Sequence, residues 1–422
     1  MASPNVTVNP EDLRILRELA RRKMEAVAHP DNQKRRALWL AHDAGQGERP
    51  LVLAESHVSF ADLPASQTLC TEQWARDLEW GLRFDLWQFE VMQDDHVLEP
   101  WVNTGWRVST TDYGVQARTT WADRVSGNVS SRHWDPPLTD LPRDLDLLKP
   151  RSFSVDREAS LAWRDHLAEV FDGTLGVRIR GGFWWTTGLT WSAIDLIGLE
   201  QFMLAMAIDG ESIHRLMAFL SEDLMEYTSW LEAEGLFTLN NENDYIGSGS
   251  LGYTASLPAE GYSPDAPARP CDLWTLCESQ ETVSVSPSMF EEFVFQYQRP
   301  VAERFGACYY GCCEPVNNRW HVIKKLKNLR RVSVSPWCDE AFMAEALGRG
   351  IAFSRKPNPA LVSTERWDEE AITEDLRATL QAAAGCSLEL IMKDVHTLAG
   401  EPMRLARWVE LAKQGIERWW AR

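Results

Sequence analysis

The sequence lacks a run of about 20 uninterrupted apolar residues, the length that a membrane-spanning helix needs. Its first five residues show no basic region followed by an apolar run, so we expect no secretory signal and a cytoplasmic location. Basic residues are outnumbered, with 43 Lys and Arg against 62 Asp and Glu and a formal net charge of −19. Because such a chain repels polyanions, we do not expect nucleic acid as a partner, and the lack of a long apolar run leads us to expect no membrane either.

Two motifs of common enzyme classes are also absent. There is no Gly-x-Ser-x-Gly and no phosphate-binding loop, so the corresponding hydrolases and nucleotide enzymes have no support. Gly247, Gly249 and Gly252 match Gly-x-Gly-x-x-Gly, but no helix start follows them. A dinucleotide site needs a strand, a glycine turn and then a helix. We therefore predict a flexible loop over the site at these glycines.

The eight cysteines are not expected to form a disulfide framework, since no export signal precedes them. Clustered cysteines in a cytosolic chain indicate metal or redox chemistry. Cys70, Cys271 and Cys308 are better explained as small buried hydrophobic residues. Cys312 and Cys313 are adjacent, and neighbours on an extended chain point to opposite sides. We therefore favour Cys312 as the functional thiol with Cys313 close behind, two buried structural thiols being the alternative.

After about residue 155, short apolar runs alternate with longer amphipathic segments, a pattern typical of parallel strands joined by helices. The predicted strands are 175–180, 236–240, 273–277, 307–310, 329–334, 351–354 and 388–392. The predicted helices are 198–234, 288–304, 316–327, 339–348, 366–383 and 403–421. With an earlier strand before residue 110, this predicts an α/β fold, a TIM-type (β/α)8 barrel, with a doubly wound open sheet as the alternative. We place the barrel at 51–422, an N-terminal helical extension at 1–50 with a helix at 10–28, and a long insertion at about 107–155.

Polar residues follow the predicted strands at the end where the chemistry of a barrel is found. We predict catalytic roles there for Glu242, Glu281, Lys393 and Asp394. Aromatic and polar residues near the same rim are predicted to bind substrate, namely Trp184, Trp185, Tyr310, Trp337, Lys356 and Asn358.

A zinc site is predicted from the same strand ends, because a thiolate is a strong zinc ligand and three or four ligands are needed. Cys312 and Cys313 follow one strand, and His396 follows the last strand on the same rim. Cys386 precedes that strand and would lie on the opposite rim. We therefore predict Cys312, Cys313 and His396 as the ligands, with a carboxylate from Glu242 or Glu281 as the remaining candidate.

Four segments resemble the uroporphyrinogen decarboxylase superfamily, and most closely its methyltransferase members, over roughly residues 155–420. They are YGCCEP at 310–315, VSVSPW at 332–337, KPNP at 356–359 and KDVH at 393–396. The decarboxylase branch carries an arginine-rich motif that binds propionates, whereas residues 39–45 contain no arginine. The methyltransferase branch uses His-x-Cys and a final Cys as zinc ligands. Here Tyr310 replaces the histidine, and His396 stands near the position of the final cysteine.

The resemblance implies a zinc-dependent methyltransferase that moves a methyl group from a small, methoxylated aromatic substrate to the cobalt of a corrinoid carried by a partner protein. A homodimer is one candidate assembly. The alternative is a cofactor-free decarboxylase of a carboxylated ring compound, for which Arg178, Arg180, Arg355, Lys356 and Lys393 could clamp the carboxylates. A non-catalytic binding protein is a third hypothesis, which the ionisable residues at the strand ends disfavour.

Overall fold

The computed structural model describes residues 7–121 and 132–420. The strands of this part of the chain are β1 (Leu51–Ala54), β2 (Trp101–Thr104), β3 (Arg107–Thr110), β4 (Arg118–Trp121), β5 (Arg132–Asp135), β6 (Phe153–Asp156), β7 (Gly176–Ile179), β8 (Tyr245–Gly247), β9 (Ser250–Leu251), β10 (Trp274–Cys277), β11 (Ala307–Tyr310), β12 (Leu329–Val334), β13 (Ala352–Arg355) and β14 (Leu388–Met392). The helices are α1 (Pro10–Ala28), α2 (Pro30–Asp43), α3 (His57–Ala61), α4 (Gln73–Trp87), α5 (Leu141–Asp144), α6 (Arg157–Phe171), α7 (Thr190–Ile197), α8 (Leu199–Ile208), α9 (Gly210–Ala233), α10 (Pro287–Phe290), α11 (Gln296–Ala302), α12 (Trp320–Ile323), α13 (Glu340–Leu347), α14 (Ala360–Ser363), α15 (Glu369–Ala382) and α16 (Arg404–Trp419).

Six parallel strands form the central sheet, in the order β1-β14-β13-β12-β11-β10. The first strand of the sheet pairs with the last strand of the chain, as closure of an α/β barrel requires. β2 and β7 form a separate parallel pair. Within the described residues, no backbone ladder joins this pair to the six-stranded sheet. The predicted TIM-type α/β fold is confirmed, with a sheet that is not hydrogen-bonded all the way round.

The predicted strand at 236–240 is wrong, because this segment has no strand ladder. It lies beside β10, where the Asn240 side chain accepts a hydrogen bond from the Trp274 N–H at 2.8 Å. The same amide donates to the Trp274 carbonyl at 3.0 Å. A side chain therefore takes the hydrogen-bonding positions on β10 that a neighbouring backbone would occupy.

The helix predicted at 10–28 is confirmed with the same bounds as α1. Its start is defined by Asn9, whose side chain accepts a hydrogen bond from the Glu11 N–H, and by Pro10 in the first turn. Buried positions at Ile15, Leu16 and Leu19 recur at helical spacing and pack against α4 and α6. The division predicted at residue 50 falls between α2 and β1, and the domain boundaries stay a prediction.

The segment predicted as an insertion holds antiparallel strand pairs where it is described. β3 pairs with β6, and β4 pairs with β5, whose connection lies outside the described residues. In the described part of the chain, no single helix is long and apolar enough to cross a membrane. α7 and α8 reach the required length and composition only together, and a 97° bend separates them.

Alternate residues of the central strands face two different layers, as the two-residue period of a strand requires. Cys308 and Tyr310 of β11 belong to the large apolar layer beneath the helices. Ala307 and Tyr309 of the same strand face the other side. That inner side is filled by residues 245–257, of which Ile246 packs against Tyr309 in one cluster.

The three glycines predicted to form a flexible loop lie in and beside a buried hairpin made of β8 and β9. A side chain at Gly247 would come within 2.6 Å of the Tyr309 ring, and one at Gly249 within 2.6 Å of Ile391. Ser248 between them is fully buried. The glycine pattern therefore reflects close packing inside the ring of strands, and the prediction of a flexible loop is wrong.

Substitution of Gly252 by alanine is expected to destabilise the fold, because the new Cβ would lie 2.1 Å from the Asn240 carbonyl oxygen. Backbone atoms cannot move aside as a side chain can, so we expect a loss of about 1–3 kcal/mol in the free energy of unfolding. Denaturant unfolding measures the change. Gly105→Ala is the control, since no atom lies within 4 Å of its added methyl group. An equal effect of both substitutions would contradict the packing argument.

Candidate functional site

The thiol pair lies where β11 ends, at the carboxyl rim of the central sheet. The Sγ atoms of Cys312 and Cys313 are 3.5 Å apart. Cys312 is buried with 4% of its surface exposed, whereas Cys313 is exposed. One sulfur is thus shielded by the protein and the other lies at the surface.

The two cysteines do not point to opposite sides, as an extended chain would have required. Gly311 has a φ of +96°, a backbone conformation that side chains rarely adopt, and it turns the chain as the strand ends. The Cys312 carbonyl then accepts a hydrogen bond from Ser333 Oγ at 2.7 Å, and the Cys312 N–H donates to Glu314 Oε2 at 2.8 Å. These bonds on both sides fix the cysteine backbone.

Lys393 and Asp394, which follow β14, complete the cluster across the rim. Lys393 Nζ lies 3.7 Å from Cys312 Sγ and 3.1 Å from Asp394 Oδ2. Asp394 Oδ2 also lies 3.4 Å from Cys313 Sγ. Asp394 has a φ of +57°, so the chain turns here as it does at Gly311. Four of the residues predicted for the site are therefore in mutual contact.

The environment favours an ionised Cys312. The hydrogen bond from the Cys313 thiol lowers the pKa of Cys312, and the Lys393 ammonium lowers it further, despite the opposing effect of burial. The hydrogen bond that Cys313 donates to Cys312 and the burial of its sulfur both raise the pKa of Cys313. Burial opposes the charge of Lys393, but Cys312 and Asp394 outweigh it and raise its pKa. Both shifts favour an ion pair between a Cys312 thiolate and the Lys393 ammonium group.

We expect the thiolate of Cys312 to form at a lower pH than that of an ordinary cysteine. Its ultraviolet absorbance, measured as the difference between Cys313→Ser and Cys312→Ser/Cys313→Ser, reports this ionisation. The serine hydroxyl still donates to the sulfur, so the midpoint should stay below the ordinary thiol value. Adding Lys393→Met should move it upward. An unchanged midpoint in the lysine variant would show that the ammonium does not act on the thiol.

Three glutamates lie behind the thiol pair. Glu314 is buried and accepts hydrogen bonds from the N–H groups of Ser279 and Cys312. Burial raises the pKa of Glu278, and repulsion from Glu281 and Glu314 adds to the shift. Glu281, predicted to be catalytic, accepts a 2.7 Å hydrogen bond from Thr190 Oγ1. Of the three, Glu314 supports the backbone of the thiol pair, through the N–H of Cys312.

Other predicted residues are placed differently. Glu242 forms ion pairs with Arg178 at 2.9 Å and Arg180 at 3.5 Å. Lys356 is buried and donates to Tyr309 Oη and to Ser354. Burial lowers its pKa to about 7. The N–H groups of its ammonium thus already donate to oxygens of the protein. The predicted contact of Lys356 with substrate stays a prediction.

The predicted substrate-binding residues differ in their exposure. Tyr310 is fully buried in the apolar layer, with its hydroxyl 3.0 Å from Ser279 Oγ. Trp184 packs edge-on against Phe237 and Phe305. Asn358 Oδ1 accepts from the Ala360 N–H at the start of α14. The more exposed members of this predicted set are Trp185 and Trp337, at 44% and 67%.

Two further residues belong to the site and were not predicted. Glu55 directly follows β1 and is electrostatically coupled to Lys393 and Asp394, and burial raises its pKa. Tyr245 is half exposed at the start of the inner hairpin, and burial of its hydroxyl raises its pKa to about 12. Glu55 could have been found by reading past the first strand. Tyr245 carried no such signal, because its strand belongs to the hairpin inside the ring.

The predicted zinc ligands do not converge in the described arrangement. Cys312 and Cys313 are together, but His396 is exposed on the loop after β14. Residues 7–121 and 132–420 contain no group of three or more His, Cys, Asp or Glu that could hold a metal ion. Lys393 Nζ also lies 3.7 Å from Cys312 Sγ, and a cation this close to the sulfur disfavours a second cation there. These residues, as placed, do not fit a zinc centre, and zinc stays a prediction.

Comparison with known proteins adds little to this description. No protein-family model matches the chain, and no curated protein matches it. Among solved structures, it is similar to a methyltransferase from Methanosarcina mazei at 13% sequence identity, over 92% of this chain and 98% of that chain, with a TM-score of 0.49.

Proposed function

We propose that this chain is a methyltransferase that removes the methyl group of a small methoxylated aromatic substrate and passes it to the cobalt of a corrinoid carried by a partner protein. The observation that carries the proposal is the contact between Lys393 Nζ and Cys312 Sγ at the carboxyl rim. It places a fixed positive charge where the loops of an α/β barrel carry out chemistry. The resemblance of residues 310–315 and 393–396 to methyltransferases of the uroporphyrinogen decarboxylase superfamily supplies the reaction class.

In this reaction the bond between the methyl carbon and the ether oxygen breaks, and the acceptor, a corrinoid with cobalt in the +1 state, would supply the electron pair of the new bond to that carbon. The electron pair of the broken bond stays on the oxygen, which must then be stabilised or protonated. A preorganised positive charge at the developing anion is an effective form of transition-state stabilisation. Lys393 is the cation at this position, and beyond its contacts with Cys312 and Asp394 its ammonium group has a third N–H that can donate to the leaving oxygen.

Glu55 is the candidate proton donor for the leaving oxygen. Burial raises the pKa of its carboxyl group, so the protonated form persists to a higher pH than in water. Trp337 is 67% exposed and Tyr245 51%, so both have free ring surface for contact with an aromatic substrate or a docking partner. The chain's own part in the reaction is thus to hold a charge and deliver a proton.

The decarboxylase alternative is weaker, because most of its predicted carboxylate clamp is already neutralised. Arg178 and Arg180 pair with Glu242. Arg355 pairs with Glu340 at 2.6 Å and with Asp375 at 3.3 Å. A clamp of several free cations is needed for a substrate with several carboxylates. Of the five predicted clamp residues, Lys393 is the one in contact with the thiol pair.

An incubation with methoxylated aromatic compounds and cob(I)alamin tests the proposal through the absorbance of methylcobalamin. Transfer from at least one such donor, with release of the matching phenol, is expected. A protein that yields methylcobalamin from none of a broad donor panel would contradict the assignment.

Metal analysis of the same protein tests the zinc prediction separately. Zinc dependence requires about one equivalent of metal, lost in Cys312→Ser. The contact of Lys393 with Cys312 requires no metal, and full activity in a metal-free preparation would contradict the zinc prediction. Loss of activity on metal removal, with recovery on adding zinc, would show that the zinc prediction is right and that the contact rearranges.

A further inference from the structure

A second site is indicated on the opposite rim of the sheet, in a cleft between α2, the end of α4 and α16. The cleft has a volume of about 950 Å³, within the range of ligand-binding pockets. Arg49 in its wall directly precedes Pro50 and β1, whereas the thiol pair follows β11. Because the strands are parallel, the cleft and the thiol site lie at opposite ends of the sheet.

Three cations face this cleft in a chain with an excess of acid. Arg49 donates through both terminal nitrogens to Asp95, at 2.7 and 2.8 Å. Asp95 also accepts from the Val52 N–H, so its oxygens are engaged. Arg35 donates to the His96 carbonyl at 3.2 Å, and Lys413 donates to the Gln93 carbonyl. Among the described residues, no carboxylate lies within ion-pair distance of Arg35 or Lys413.

Arg35 and Lys413 are half-buried, so it costs free energy to keep them charged without an acidic partner when no ligand is bound. Burial lowers the pKa of both groups, and repulsion from Arg49 adds to the shift despite nearby carboxylates. Two other acidic residues of the wall are paired elsewhere, Asp31 with Lys34 and Glu90 with Arg22.

The guanidinium group of Arg35 is also held in a fixed orientation before any ligand binds. Its Cζ lies 4.6 Å from the centre of the Phe89 ring. The backbone bond to His96 leaves other N–H groups of the fork to donate. The ring of Phe89 and the side chain of Leu38 give the cleft an apolar wall beside the cations.

We propose that this cleft binds a small molecule that carries a phosphate or carboxylate group, held by Arg35 and Lys413, with an apolar ring or chain against Phe89. The anion would supply the countercharge that these cations lack, through charge-assisted hydrogen bonds. The proposal is independent of the methyltransferase assignment, because it concerns different residues at the other end of the sheet.

Calorimetric titration of the full chain with phenyl phosphate, and in parallel with benzoate, tests the proposal and separates the two anions. We expect saturable binding of at least one probe, weakened about tenfold or more in Arg35→Gln and in Lys413→Gln, since each removes a charged donor. Lys34→Gln is the matched control, because Lys34 lines the same cleft but is exposed and paired with Asp31. Its affinity should stay within about twofold of the original.

Two results would overturn the proposal: no saturable binding of either probe, or an equal loss in all three variants, which would indicate nonspecific attraction. Because Arg35→Gln loses packing on Phe89, the thermal unfolding of each variant is measured without probe. Arg35→Lys, which keeps the charge, should recover part of the affinity. Binding by the Cys312→Ser protein is expected to be unchanged, so a failure of the methyltransferase assignment would not affect this test.

Discussion

Replacement of Lys393 by methionine is expected to lower the rate of methyl transfer by roughly 100-fold to 1000-fold, the usual effect of removing one preorganised charge from a transition state. Methionine keeps much of the length and apolar volume of the lysine stem but removes the ammonium. Cys312 Sγ and Asp394 Oδ2 then lose the cation that lies 3.7 and 3.1 Å away. The initial rate of methylcobalamin formation measures the effect.

The rate loss should fall on kcat rather than on the apparent affinity for substrate, because the charge acts where negative charge develops on the leaving oxygen. Lys393→Arg keeps a positive charge and should retain more activity than the methionine variant. Lys324→Met, at an exposed lysine, is the matched control for loss of one charge. Near-normal turnover by Lys393→Met would show that the ammonium group of Lys393 does not take part in methyl transfer.

Strand ends predicted that Lys393 and the thiol pair lie close together, because parallel strands bring their carboxyl ends to one rim. Cys312 and Lys393 are 81 positions apart in the chain yet in contact. The same rule did not bring Glu242 or His396 to the thiols. The end of a strand defines the rim on which a residue lies, but not where on the circumference of that rim it lies. Glu242 is held beside β7 by Arg178 and Arg180.

The filling of the sheet's inner side could not be predicted from the glycine pattern. The contacts that require glycine involve Tyr309 and Ile391, which are far away in the sequence. Likewise, the strand expected at 236–240 had suitable apolar residues, and the side chain of Asn240 took the place of its ladder. Both differences arise from long-range contacts, which local patterns do not report.

Replacement of Arg331 by methionine is expected to cost about 3–5 kcal/mol of unfolding free energy at neutral pH, because it breaks a fully buried ion pair. Arg331 is 0% exposed and lies 3.3 Å from Glu389 and 3.1 Å from Asp43. It also donates to Ser250 Oγ and to the Tyr253 carbonyl, which ties the inner hairpin to β12. Urea unfolding measures the loss.

The loss should depend on pH in a way that identifies Glu389 as the unpaired partner. Burial opposes the ionisation of Glu389, but Arg331 and the hydrogen bond from His42 outweigh it and hold its pKa well below the ordinary value. A depressed pKa contributes stability that is present above the ordinary carboxyl pKa and disappears as the pH falls through the folded value. In Arg331→Met the pKa of Glu389 should rise, so the difference in unfolding free energy from the original protein should become smaller as the pH falls.

Arg330→Met is the control, since its partly exposed side chain reaches Asp43 only at 3.4 Å. A loss that is the same at all pH values would assign the effect of Arg331 to packing against Trp274 instead of to the charge of Glu389.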